Sequence, residues 1–243
     1  MVRPKRASSI STAFEDEARA RGHRRVAGVD EVGRGALAGP VVAAAVVLDP
    51  EVAFPAGLDD SKKLTRLQRE RIAEELKRSA LCYAVGVVSH EEIDAANILI
   101  ATRRAMVEAV TKLDPCADFL LIDAVQLRES ALPQRAIIGG DAVSASIAAA
   151  SVIAKTYRDA LMHDYDTRFP EYGFARHVGY GTRAHWAALA AHGCCPIHRR
   201  SFRGVLQTPP PAAVEETARV EDKHETGDAD DAQGVARRNA ESP

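Results

Sequence analysis

Residues 26–48 place an apolar run, an acid pair, a glycine-rich loop and a second apolar run in immediate succession. Val26-Ala27-Gly28-Val29 leads into Asp30 and Glu31. Gly33-Arg34-Gly35 and Ala36-Leu37-Ala38-Gly39-Pro40 follow, and Val41 opens the next apolar stretch. Short Val- and Ala-rich runs bounded by Gly or Pro read as strands, so this segment predicts two strands joined by a loop. Two carboxylates at a strand end can hold a hard divalent cation. A Gly-Arg-Gly turn lets bare backbone approach a polyanion. Metal and phosphate recognition side by side point to phosphodiester chemistry.

The loop is not a dinucleotide fingerprint. Its glycines follow a G-x-G-x-x-x-G spacing, and a strand rather than a helix comes next. No P-loop pattern occurs in the chain.

With 243 residues, 46% hydrophobic and 27% charged, the chain has the composition of a water-soluble globular protein with room for a substantial core. No apolar segment reaches the roughly 18 residues of a membrane helix, and the N-terminus lacks a signal-peptide core. The formal net charge of −2 conceals an asymmetry. From Pro209 onward 9 acids face 4 Lys or Arg, leaving residues 1–208 with 28 basic against 25 acidic groups, a net of +3. The expected organisation is a polar N-terminal extension over 1–24, a catalytic domain over 25–206 and an acidic, Pro-rich, disordered tail over 207–243. The four cysteines do not suggest a disulfide framework, so a reduced, cytoplasmic setting is expected. A monomer is also expected.

Within the core, strands are expected at 26–30, 41–48, 81–88, 119–122 and 136–138. Helices are expected at 65–79, 91–113, 143–162 and 183–192, with a short one near 12–20. On the 65–79 helix, Leu67, Ile72 and Leu76 are assigned to one apolar face. Three early strands followed by alternating strands and helices give an α/β fold with a mixed sheet flanked by helices.

Asp30, Asp123 and Asp141 each follow a strand. Carboxylates at strand ends gather at one sheet edge, where α/β proteins place their sites. Side chains alternate along a strand, so Glu31 can join Asp30 only if the chain bends there, and Gly33 makes a bend plausible. A single acid in such a place is most simply a turn or capping residue, and Asp141 could cap the helix that follows. Three repetitions plus the acid pair favour a metal site. Asp159 lies eighteen residues beyond Asp141, about 27 Å along a helix, and is assigned to pairing with Arg158 or a neighbouring helix.

Lys62 and Lys63 in Asp60-Ser61-Lys62-Lys63-Leu64 are candidates for phosphate contact, as are His198 and Arg199 in His198-Arg199-Arg200-Ser201-Phe202. Tyr180, between Gly179 and Gly181, is a candidate for stacking on a sugar or base. His192, Cys194, Cys195 and His198 lack the C-x₂₋₄-C spacing of structural zinc sites, and zinc is not expected.

These segments occur in the order found in bacterial ribonuclease HII, and the chain resembles that family from about residue 26 to 204. The matching pieces include Gly28-Val29-Asp30-Glu31-Val32-Gly33-Arg34-Gly35, Asp60-Ser61-Lys62-Lys63-Leu64, Leu121-Ile122-Asp123, Gly140-Asp141, Ala154-Lys155 with Arg158-Asp159, Gly179-Tyr180 and His198-Arg199. The resemblance implies a ribonuclease H-like fold with a mixed five-stranded sheet and a small helical C-terminal region. It implies cleavage of RNA in RNA–DNA hybrids and incision 5′ to single ribonucleotides in duplex DNA, giving 3′-hydroxyl and 5′-phosphate ends. It makes Asp30, Glu31, Asp123 and Asp141 the catalytic, metal-binding carboxylates for two Mg²⁺ or Mn²⁺ ions. It makes Gly33, Arg34 and Gly35 the reader of the 2′-hydroxyl and Tyr180 a stacking partner. Ala124 and Val178 stand where many members carry Gly and Lys. Two alternatives remain: another metal-dependent nuclease of the same fold, and a non-catalytic hybrid-binding module.

Overall fold

The computed structural model describes residues 10–207. The expected tail lies outside these residues, apart from its first residue. In chain order the elements are α1 (Ala13–Ala20), β1 (Val26–Val32), β2 (Val41–Val47), α2 (Arg66–Ser79), β3 (Cys82–Val88), α3 (His90–Ala96), α4 (Ile98–Lys112), β4 (Phe119–Asp123), β5 (Gln134–Ile137), α5 (Ala145–Arg168), α6 (Phe174–His177) and α7 (Arg183–His192). The five strands form one sheet in the order β3-β2-β1-β4-β5. β1, β2 and β3 are antiparallel neighbours, whereas β4 runs parallel to β1 and β5 parallel to β4.

Both sheet faces are covered, so β2 is apolar on both sides and reads Val41-Val42-Ala43-Ala44-Ala45-Val46-Val47 with every residue buried. Ala27, Val29, Ala43 and Ala45 pack with Ala105 and Met106 of α4; Val42, Ala44 and Val46 pack with Ala148 and Ala149 of α5. The α5 backbone lies directly on β1 at Gly28. A Cβ there would stand 2.0 Å from the Ser146 carbonyl carbon, so only glycine fits.

Several expectations are corrected. Leu67 is 78% exposed, while Ile72 and Leu76 are fully buried. Nine residues are two and a half helical turns, which puts Leu67 on the side opposite Leu76. The helix expected over 91–113 is broken at Asn97, whose φ is 122° and whose side chain accepts from the Leu99 and Ile100 amides to start α4. Cys82 and Cys116 form a disulfide. They lie 34 residues apart, yet both are buried in the layer beneath α4, a proximity no local spacing announces. The cysteines therefore no longer argue for a reducing compartment. No helix among the described residues is long and apolar enough to cross a membrane.

The stretch assigned to an N-terminal extension is docked in part. Glu15 of α1 is 1% exposed and accepts from the Ser144 and Ser146 hydroxyls and the Ser146 amide, at the first turn of α5. After α5, the chain packs Tyr172, Phe174, Leu189, Ile197 and Val205 against Leu37 and Ala38 of the glycine-rich loop.

Candidate active site

The four acids arrive from three strand ends. β1 pairs with β4 only as far as Val29 and Ile122, so Asp30 and Glu31 lie just past the last β1–β4 partner. Asp123 closes β4, and Asp141 sits in a single 3₁₀ turn, Gly140–Ala142, beyond β5. The Gly140 amide donates to Asp123 Oδ1 at 2.8 Å and ties the last two ends together. Asp141 does not cap α5: Ser144 does, accepting from the Ile147 amide.

The expected bend at Asp30 is absent. The β1–β2 ladder stays regular through Glu31 opposite Ala43 and Val32 opposite Val42, so the two carboxylates stand on alternate sides of the pleat. Their fields still overlap. Asp30 is 4% exposed, and burial holds its carboxyl well above the usual range; the Glu31 and Asp123 charges add to the rise and a hydrogen bond from Ser151 opposes it. Burial also raises Glu31, against the pull of Arg34, and raises Asp123, against the Gly140 amide. Lys62 Nζ stands 3.0 Å from Asp141 Oδ2, and the Arg34 guanidinium 3.1 Å from Glu31 Oε1. Lys63 turns instead to Asp59, at 3.0 Å. No three His, Cys, Asp or Glu side chains among the described residues are already drawn into a shell that could hold an ion. That holds for the acids and for the His192, Cys194, Cys195 and His198 segment alike.

The glycine-rich loop is held from beneath by two buried arginines. Gly33 has φ 92°, and a Cβ there would meet Arg158 Nε at 2.2 Å. Arg158 donates to the carbonyls of Pro40, Val178 and Ala38 at 2.9, 2.8 and 3.1 Å. Arg199 donates to those of Gly39, Arg34 and Pro40 at 2.9, 2.9 and 3.1 Å. Isolated bridges join Ala36 to Tyr180 and Ala38 to His198. Arg34 and Gly35 are exposed, and Tyr180 is half-buried with the Arg158 guanidinium 5.7 Å from its ring centre.

Two expected substrate contacts are thereby corrected. His198 is 1% and Arg199 0% exposed, so neither side chain reaches a ligand at the surface; both act from below the loop. Asp159, by contrast, pairs as expected with a neighbouring helix, at 3.3 Å from Arg69 of α2, and with Lys155 at 2.6 Å, rather than with Arg158. Arg158 is the residue that sequence reasoning undervalued. Its only local signal was a cation among the apolar residues of a core helix.

A mixed sheet ordered β3-β2-β1-β4-β5, with acids at the ends of β1 and β4 and just after β5, defines a ribonuclease H-like fold. The family model for ribonuclease HII matches residues 27–205. The chain is 53% identical over 194 residues to the ribonuclease HII of Syntrophotalea carbinolica, covering 80% of this chain and 92% of that one. It is 54% identical over 194 residues to that of Geobacillus thermodenitrificans, covering 80% and 74%. The crystal structure of ribonuclease H2 from Pyrococcus horikoshii superposes with a TM-score of 0.64 at 27% identity, covering 76% of this chain and 97% of the other. The chain belongs to the ribonuclease HII family and is a ribonuclease H hydrolase, the class that acts on RNA–DNA hybrids.

Proposed function

We propose that the protein incises duplex DNA 5′ to a single embedded ribonucleotide, besides cleaving the RNA strand of hybrids, and leaves 3′-hydroxyl and 5′-phosphate ends. The observation that carries this reading is the set of four carboxylates from three strand ends, three of them raised by burial and only partly offset by Lys62 and Arg34. Oxygen donors carrying uncompensated negative charge suit a hard divalent cation, and Asp30, Glu31, Asp123 and Asp141 would hold two, Mg²⁺ or Mn²⁺. Such ions supply activation of water and stabilisation of the leaving 3′-oxygen.

The remaining work falls to the chain's own groups. Lys62, largely exposed beside Asp141, is placed to meet a phosphate at the acids, and Lys63 extends the same cationic edge. Five arginine hydrogen bonds engage carbonyls of the glycine-rich loop from inside, and a sixth holds the Val178 carbonyl beside it. That arrangement leaves Arg34 and the Gly35 backbone outermost, where main-chain groups can reach a 2′-hydroxyl. Tyr180 supplies a ring for the sugar or base beside the junction. His198 and Arg199 keep that surface in place. The catalytic unit extends from the docked α1 to residue 206 and acts as a monomer.

The test compares a labelled duplex carrying one ribonucleotide with an all-DNA duplex and a continuous hybrid, each with Mg²⁺ or Mn²⁺. Cutting of the first and third, with the break 5′ to the ribonucleotide, is expected. Cutting of the all-DNA duplex, or a cut 3′ to the ribonucleotide, overturns the reading. Asp123→Asn removes one charge at nearly constant shape and is expected to abolish cleavage while the circular dichroism spectrum is retained.

A further inference from the structure

Beneath the Tyr180 turn lies a layer of three histidines that the proposed chemistry does not use. His177, His185 and His198 are 8%, 0% and 1% exposed. Their hydrogen bonds determine where each proton sits. The Cys195 amide donates to His198 Nδ1 at 3.0 Å, and the Cys195 thiol lies 3.1 Å from the same nitrogen. The Cys195 carbonyl lies farther off, at 3.3 Å, so the shorter amide contact leaves the lone pair on that nitrogen and puts the His198 proton on Nε2. His198 Nε2 stands 3.0 Å from His185 Nε2, which must accept. The His185 proton is then on Nδ1, where it donates to the Tyr180 carbonyl at 3.0 Å. His177 completes the layer. Its Nδ1 accepts from the Gly179 amide at 3.3 Å, and its Nε2 donates to the Tyr172 carbonyl at 2.8 Å. The His177 and His185 rings stack with centres 4.5 Å apart.

We propose that His198 and His185 form a one-way hydrogen-bond relay, from the Cys195 amide to the Tyr180 carbonyl, that positions Tyr180 for the ribonucleotide junction. This rests on the reading of Tyr180 as the stacking residue. His185 and His198 are positioning residues, since neither reaches the surface. An added proton disturbs the relay at either ring. A proton on His185 Nε2 would set two N–H groups against each other at 3.0 Å, and one on His198 Nδ1 would displace the Cys195 amide and turn to the Cys195 carbonyl, 3.3 Å away. The titratable groups around the pair are His177 from α6, Tyr172, the Cys195 thiol and His90 from α3. Burial, reinforced by neighbouring histidines, pushes His185 and His198 down to about 4, and the relay is intact at neutral pH.

Two measurements test the relay. In ¹⁵N-labelled protein at neutral pH, the ring shifts should report neutral rings with Nε2–H at His198 and Nδ1–H at His185. A charged ring at either of these two positions, or Nε2–H at His185, overturns the relay without any variant being made. The second measurement is kinetic. His185→Phe keeps an aromatic ring but no donor, and should raise KM for the single-ribonucleotide duplex about fivefold, the worth of one hydrogen bond, with kcat unchanged. His185→Asn keeps a donor near the Nδ1 position and should restore most of the loss. Tyr180→Ala should raise the same KM, and adding His185→Phe to it should change nothing further. If Tyr180→Ala is silent, the stacking reading fails, and the ring shifts still decide the relay. If Tyr180→Ala acts but the two effects add independently, the relay is overturned.

Discussion

Two clusters of buried charge adjoin the same loop and are treated in opposite ways. On the acid side, Asp30 and Asp141 are buried beside Glu31 and Asp123, and three of the four carboxylates are held above their ordinary range. On the other side, Arg158 and Arg199 are fully buried with no carboxylate on them, yet Nε and both terminal nitrogens of each guanidinium meet a backbone carbonyl. Burying a charge is costly unless hydrogen bonds replace its water. The arginine side meets that requirement within the chain and is a finished structural device. On the acid side each carboxylate also has a partner, yet burial still holds three of the four above their ordinary range, an electrostatic environment that suits a ligand of opposite charge.

The sharpest way to break this comparison is to neutralise one acid. Asp30→Asn should reduce cleavage by about three orders of magnitude, since several kcal/mol of metal stabilisation are at stake. The same change should stabilise the ion-free protein by about 1 kcal/mol, a rise in Tm of about 2–4 °C. A fall in Tm would mean that the acids are already satisfied. Arg158→Met should do the reverse. It strands the Val178 and Ala38 carbonyls and should cost about 3 kcal/mol, read as a Tm lower by about 6–12 °C. Arg34→Met, at an exposed side chain, should shift Tm by no more than about 1–2 °C.

The two sides also answer pH with opposite sign. His185 and His198 have folded values of about 4, below the ordinary value of 6.5. Between these limits the unfolded chain binds more protons, so their contribution is present above pH 6.5 and lost as pH falls towards 4. Asp30, Glu31 and Asp123 are raised, so the folded state binds more protons there, and their penalty relaxes on acidification. Denaturant titrations across this range should show a steeper acid loss in Asp30→Asn than in the wild type. Equal slopes would remove the opposition.

The smallest effect concerns Ala124, which follows Asp123 with φ 57°. Glycine adopts this region without the Cβ clash, so Ala124→Gly should stabilise by about 0.5 kcal/mol, net of the entropy glycine loses on folding. A differential melt would detect it. Ala124 is thus a place of backbone strain beside Asp123.

Much of the fold was legible in the sequence because its signals are local. Apolar runs bounded by Gly and Pro marked all five strands, and the core helices began within two residues of expectation, except where Asn97 splits one in two. Asp30, Asp123 and Asp141 were legible as strand-end acids for the same reason. Leu67 was misassigned because proximity in sequence was taken for a shared helical face. Glu31 was expected to need a bend to join Asp30; the strand stays regular, and the two carboxylates remain on alternate sides of the pleat.

By itself, the sequence determined the strands, the helices and the acids at the strand ends, since periodicity and turn chemistry act over a few residues. Tertiary structure alone decided which charges are buried and what satisfies them. A basic His198-Arg199 pair looks like a surface cluster until the chain folds its last segment under a loop some 160 residues earlier, as the Arg199–Gly39 bond does. The Cys82–Cys116 bond and the histidine layer under Tyr180 have the same origin. Burial and long-range hydrogen bonding depend on distances that the chain acquires only when the whole core closes.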